Sequence, residues 1–116
     1  MIIEAVIIDY LQGADISGIG SDVYAETPVD EPDEYILVEK TGGPMEDGIT
    51  HATIAIQSFS AQSLLRAAEI DEALKDAMES LPDYTDVYGC TLNSDYNYTD
   101  PTTRMYRYQA VFVVDY

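Results

Sequence analysis

The sequence predicts an α+β fold: a mostly antiparallel sheet of four to five strands, with an N-terminal helix and one long central helix packed on one face. Three observations carry this expectation. Leu64, Ala67, Ile70, Leu74, Ala77, Met78 and Leu81 recur at helical spacing, with Glu69, Glu72, Asp76 and Glu79 on the opposite side. Near the C-terminus Tyr106, Tyr108, Ala110, Phe112, Val114 and Tyr116 alternate onto one face, the period of a strand that faces a core. The order of segments, helix, strand, hairpin, long helix and two more strands, separates strands from helices.

Taken in chain order, Ile3, Val6, Ile7, Tyr10 and Leu11 form the stripe of a short helix that Gln12-Gly13 would stop. Their β-branched members would also suit a buried strand. Gly13 to Ser21 reads as a loop and Val23 to Glu26 as a short strand. The segment from Pro28 to Glu34, rich in prolines and acids, reads as a stiff, solvated loop. Tyr35 to Lys40 and Thr50 to Phe59 are strands joined into an antiparallel hairpin by the flexible turn Thr41 to Gly48. Ser60 is placed to cap the long helix, and Pro82 to end it. Val87 to Leu92 and Arg104 to Tyr116 close the sheet.

Residues 1–116 are expected to form one domain, since this length sits near the usual single-domain size. With 47% hydrophobic residues and ten tyrosines, the chain has enough apolar surface to fold. Twenty-two acidic residues against five basic ones give a formal charge of -17. The five bases, Lys40, Arg66, Lys75, Arg104 and Arg107, are dispersed, so neither bare nucleic acid nor an anionic membrane is an expected partner. Cys90 is the only cysteine, which excludes an internal disulfide and fits synthesis in a cytoplasm. The opening Met1-Ile2-Ile3 is interrupted by Glu4 and Asp9 and does not read as an export signal.

No motif points to chemistry. Gly13 and Gly18 have the spacing of a phosphate loop, but Ile19 stands where its lysine should be, and Gly18-Ile19-Gly20 lacks the third glycine of a dinucleotide fingerprint. Asp95, Asn97 and Thr99 resemble the first half of a calcium loop, yet Asp100 replaces the turn glycine and Tyr106 the closing glutamate. A polar strand edge is the better reading of that segment. His51, the only imidazole, would have to run any histidine-based scheme; a ring in solvent at the start of a strand is the plainer account. Cys90 reads as a small buried hydrophobe. No enzymatic activity, metal or cofactor is expected.

Three stretches carry a resemblance: VYAETPVDEPDEYILVEKTGG from Val23 to Gly43, ATIAIQSFSAQSLLRAAEIDEAL from Ala52 to Leu74, and LNSDYNYTDPTTRMYRYQAVF from Leu92 to Phe112. Together they resemble the tail terminator or tail completion proteins of long-tailed bacteriophages, a group also described as minor capsid or head-tail joining proteins. The resemblance implies a virion subunit made in the host bacterial cytoplasm. Such a subunit forms a hexameric ring on the tail tube, stops tube growth and offers a docking surface to the head connector. Its partners would be copies of itself, the tail tube protein and the head-completion or connector protein, with viral DNA passing through without specific binding.

A closed ring needs two different complementary patches on each subunit. Sheet edges, the Pro28 to Glu34 loop, the Gly42 to Gly48 turn and the tyrosine-rich C-terminal third are the expected sources. The candidate contacts are Pro28, Pro32, Tyr35, Met45, Asp47, Leu65, Tyr96, Tyr98, Arg104 and Arg107. An acidic lumen would repel phosphate and keep the passage free. The alternative is an acidic DNA mimic that occupies a DNA-binding protein with the row Glu69, Glu72, Asp76 and Glu79.

Overall fold

A computed structural model describes residues 1–116. Helix α1 spans Ile3–Ala14 and buries Ile3, Ile7 and Leu11, the predicted stripe. It runs past the expected stop, with Gly13 inside its last turn. Asp15 ends it in the left-handed conformation, φ 49°, its N–H donating to the Gln12 carbonyl. Asp tolerates that conformation because its short polar side chain bonds locally, and here Oδ1 accepts the Gly20 N–H at 3.0 Å. The following loop is anchored by buried Ile16 and Ile19.

Six strands form one connected sheet: β1 Val23–Tyr24, β2 Glu34–Gly42, β3 Met45–Glu46, β4 Ile49–Ser60, β5 Gly89–Asn97 and β6 Tyr106–Asp115. The order is β1-β2-β4-β6-β5, with β3 paired to β4 off this path. Every pairing is antiparallel except β1 with β2. The predicted hairpin is β2 and β4, in register from Glu34↔Ser60 to Lys40↔Ile54. The strand count exceeds the expected four to five because β3 forms within the predicted turn. Its pairing is two residues long and Met45 is 69% exposed, so no apolar pattern announces it. The other departure is β5, which extends past Leu92 through the segment read as a polar edge.

Both main helices pack on one face of the sheet. Ile36 and Val38 of β2, Ala52, Ile54 and Ile56 of β4, and Ala110, Phe112 and Val114 of β6 point to that face. There they meet Ile3, Ile7 and Leu11 of α1 and Ile70, Leu74 and Met78 of helix α2, Leu64–Glu79. Removing these side chains from water is the main stabilising term, about 25 cal/mol for each Å² of apolar surface. The Tyr10 hydroxyl fastens α1 to α2 by donating to the Ala77 carbonyl at 2.6 Å. The alternating face of β6 is core only from Ala110 onward. Opposite Tyr108 and Tyr106, β4 presents Ser58 and Ser60 instead of apolar side chains, and Tyr106 is 39% exposed.

Two helix boundaries differ from expectation. Ser63, not Ser60, caps α2, its side chain accepting the Arg66 N–H at 3.0 Å. Ser60 is the buried last residue of β4, and its hydroxyl donates to Glu34 and accepts the Gln62 N–H. We expect Ser63→Ala to lower stability by about 1 kcal/mol, the usual value of an N-cap; an unchanged urea midpoint would refute this capping role. Pro82 does not end the helical path. It lies in the first turn of a short helix α3, Leu81–Tyr84, where a missing N–H leaves no bond unmade.

Candidate assembly surface

The sheet leaves its second face free of helices, and that face gathers several of the predicted contact residues. At the end where β4 finishes, the Arg107 guanidinium lies 4.6 Å from the Tyr98 ring centroid and 5.7 Å from that of Phe59. Tyr98 meets Tyr96 edge to face at 5.8 Å. Arg107 Nε also donates to the Tyr98 carbonyl at 2.6 Å. Gln57 donates to Gln109 at 2.8 Å, and Gln109 donates to the Tyr96 hydroxyl at 2.5 Å. Cation–π contacts and side-chain amide hydrogen bonds thus join these residues into one aromatic platform, with Tyr96 39% and Tyr98 45% exposed.

The loop carrying Pro28 and Pro32 stands at the same end. Its Thr27 and Glu31 line a hollow with Leu37, Asp100, Met105 and Arg107. Tyr35 is the contact candidate that the structure corrects. It is 1% exposed, stacks on Phe59 at 4.4 Å and donates its hydroxyl to Glu31 at 2.8 Å. Burial pushes its hydroxyl pKa well above the ordinary tyrosine value, and the Glu31 carboxylate adds to the shift. Tyr35 therefore holds the acidic loop onto the sheet and does not reach a partner. Arg104 is exposed in the β5–β6 turn.

The other candidates lie elsewhere. Met45 and Asp47 sit at the tip of the β2–β4 hairpin, where residues 41–48 are all exposed. The tip is separated from the aromatic platform by the length of twelve-residue β4, roughly 35 Å at the strand rise. Leu65 is 75% exposed at the start of α2. The molecule, 44 × 26 × 25 Å, therefore offers separate contact regions.

It also offers two unlike free sheet edges. β5 pairs only with β6, leaving its outer edge open over Gly89–Asn97. At the opposite side, β1 covers β2 only at Ile36 and Leu37, so the edge of β2 is open from Val38 to the hairpin tip. Such edges present unpaired N–H and C=O groups to another chain.

The candidates for chemistry are not brought together. Asp95, Asn97 and Thr99 diverge: Asp95 meets Lys75, Asn97 Oδ1 accepts the Thr99 N–H, and the Thr99 hydroxyl donates to the Arg107 carbonyl. His51 is not a free ring in solvent, since its Nδ1 lies 2.6 Å from Asp115 Oδ1 with both side chains about one-third exposed. No hydroxyl or thiol bonds to it. Burial pushes the Cys90 thiol up to about 11, with Asp115 adding to the shift, so it is no ready nucleophile. The acidic row of Glu69, Glu72, Asp76 and Glu79 is exposed, but Arg66 reaches Glu69 at 3.4 Å and Lys75 reaches Glu72 at 2.6 Å. That partial neutralisation disfavours phosphate mimicry.

One charged group escaped the sequence reading. Asp71 is 1% exposed on α2, and neither carboxylate oxygen accepts a hydrogen bond. Burial pushes its pKa up to about 8, with Asp95 the next cause. Burial raises Asp95 too, yet the neighbouring Asp71 carboxyl and the Lys75 ammonium bring it below the ordinary carboxylate value. The opposite shifts belong to two neighbouring carboxyl groups that titrate as a pair. The available signal was position: Asp71 follows Ala67 by four residues and precedes Leu74 by three, which puts it on the apolar stripe.

No family model and no curated protein matches the chain. Among solved structures it is similar to a chain in one titled "Virion of native gene transfer agent (GTA) particle". The TM-score is 0.75 at 16% sequence identity, covering 97% of this chain and 92% of the other. The likeness is one of fold, and it extends over nearly the full length of both chains.

Proposed function

We propose that this chain is a structural virion protein that closes into a hexameric ring on the tail tube of a phage-like particle. In that place it ends tube growth and provides the surface for head-tail joining. The observation that carries the reading is the near full-length likeness in fold to a chain of a gene transfer agent virion. Two unlike open edges, on β5 and on distal β2, support it, because a ring repeats one heterologous contact until it closes. The partners would be further copies of the chain, the tail tube protein and a head-completion or connector protein. The subunit would be made in the bacterial cytoplasm and end in the virion, with no catalytic role. A charge of -17 opposes close approach of subunits and would repel DNA from sticking in the passage.

Light scattering behind size exclusion tests the ring. Screening shortens the reach of charge from about 10 Å at 0.1 M salt to about 3 Å at 1 M, so assembly should increase with salt toward six times the 12.8 kDa monomer. Particles made without the protein should carry abnormally long tails. A monomer at every ionic strength, also within assembled particles, would refute the reading.

A further inference from the structure

Asp71 and Glu72 of α2 and Asp95 of β5 each bring a carboxylate oxygen to one place, all three atoms within 4.8 Å of one another. Carboxylates so close need positive charge between them, since two anions at about 4 Å repel by several kcal/mol at the effective dielectric near a protein surface. Lys75 supplies only part of it. Its Nζ contacts Glu72 and Asp95 at 2.6 Å each but stands 3.9 Å from Asp71. Asp71 is left 99% buried, aimed into the cluster, with neither oxygen accepting a hydrogen bond. Beside the cluster runs an open groove bordered by Glu72, Lys75, Asp76, Glu79 and Leu92, which gives an ion a route from solvent.

We propose that Asp71, Glu72 and Asp95 form a Ca²⁺ site, in which the ion displaces the Lys75 ammonium. The donors are all carboxylate oxygens, the set preferred by a hard cation. Oxygens on opposite sides of a Ca²⁺ ion stand about 4.6 to 5.2 Å apart, a span that covers the separation of these three. Mg²⁺ binds oxygen at about 2.0 to 2.1 Å in strict octahedral geometry, which a neighbouring helical pair and one strand residue do not supply. Lys75 has a flexible stem, and Glu79 one turn along α2 is exposed to receive its ammonium. The overall charge of -17 concentrates cations at the surface.

Isothermal titration of the chelator-stripped protein with CaCl₂ at pH 9, where all three carboxyl groups are ionised, tests this. One ion should bind per chain, with a dissociation constant of about 10⁻⁴ M, and MgCl₂ should bind at least about tenfold more weakly. Asp95→Asn should weaken Ca²⁺ binding by about tenfold or more. Lys75→Met, which removes the competing ammonium, should strengthen it several-fold. Circular dichroism of each variant confirms that it is folded, and Asp71→Asn provides a second ligand test. Absence of saturable Ca²⁺ binding by both the wild type and Lys75→Met would overturn the proposal. So would binding that Asp95→Asn and Asp71→Asn leave unchanged, or equal affinity for Mg²⁺.

Discussion

Replacing Arg66 with methionine is expected to destabilise the protein by about 2 kcal/mol at neutral pH, because one guanidinium holds three parts of the fold together. Its Nε donates to both oxygens of Glu34 on β2, at 3.1 and 3.0 Å. Its terminal nitrogens donate to the hydroxyl and the carbonyl of Ser17, in the turn after α1, at 2.8 and 2.5 Å. Arg66 itself lies in the first turns of α2. Methionine keeps much of the apolar stem but leaves the Glu34 carboxylate and the Ser17 carbonyl without their main donor. The two charged side chains are 21% and 24% exposed, so water reclaims part of the loss, which keeps the figure below that of a fully buried pair.

The effect should depend on pH in a defined direction. Arg66 is the first cause that holds the Glu34 carboxyl below the ordinary range, ahead of an opposing burial effect and a hydrogen bond from Ser60. A carboxyl whose folded value is depressed contributes stability above its unfolded value of about 4.3, and that contribution disappears as pH falls through the folded value. Urea unfolding of wild type and Arg66→Met should therefore diverge most near pH 7 and converge below about pH 4. Glu34→Gln should reproduce the same convergence. A gap of equal size at pH 7 and pH 3 would show that packing, and not the ion pair, sets the effect.

Gly43→Ala is expected to have an effect of at least the same size, about 2 to 3 kcal/mol, from two independent causes. Gly43 has φ +134°, a conformation that L side chains rarely adopt. A Cβ there would also meet the backbone of β4: 2.0 Å from the His51 carbonyl oxygen and 2.8 Å from the Ala52 Cα. Backbone atoms in a paired strand cannot rotate aside as a side chain can. Relief requires opening the hairpin tip, which would break the bond from the His51 N–H to the Pro44 carbonyl, 2.8 Å in the native fold. Gly42 provides the control, since its φ is +147° but its Cβ would meet nothing within 4 Å. Thermal melts should rank wild type above Gly42→Ala and Gly42→Ala above Gly43→Ala, with faster amide exchange at His51 only in the last. Equal melts for the two variants would mean that the close approach of the strands is not the constraint.

The elements with strong one-sided periodicity were legible in the sequence. Ala67, Ile70, Leu74 and Met78 recur at helical spacing over about three turns, and Ala110, Phe112 and Val114 alternate, so each names its element and its inward face. The β2–β4 hairpin was legible because two strand-like runs flank a segment rich in turn residues. Short or ambiguous signals misled. Ser60 and Ser63 are both competent caps, and only the end of β4 decides between them. Pro82 is compatible with the end of one helix and with the first turn of another. The two-residue strand β3 has no pattern of its own and exists because β4 passes beside it.

The candidate assembly surface was legible in outline only. Tyr96, Tyr98 and Arg107 lie close in sequence and meet in space, whereas Tyr35 is covered because Glu31 draws the acidic loop over it. Composition and periodicity by themselves determined the α+β class, the inward stripe of the long helix, the excess of acid and the lack of a catalytic motif. These are properties of local spacing or of summed charge, independent of where distant segments meet. Only the tertiary structure decided that Arg66 would join Ser17 and Glu34, that Asp71 would face Asp95 and Lys75, and which sheet edges stay open. Each of those outcomes depends on strand order, on register and on the docking of α2 against the sheet, and packing of the whole chain sets them together.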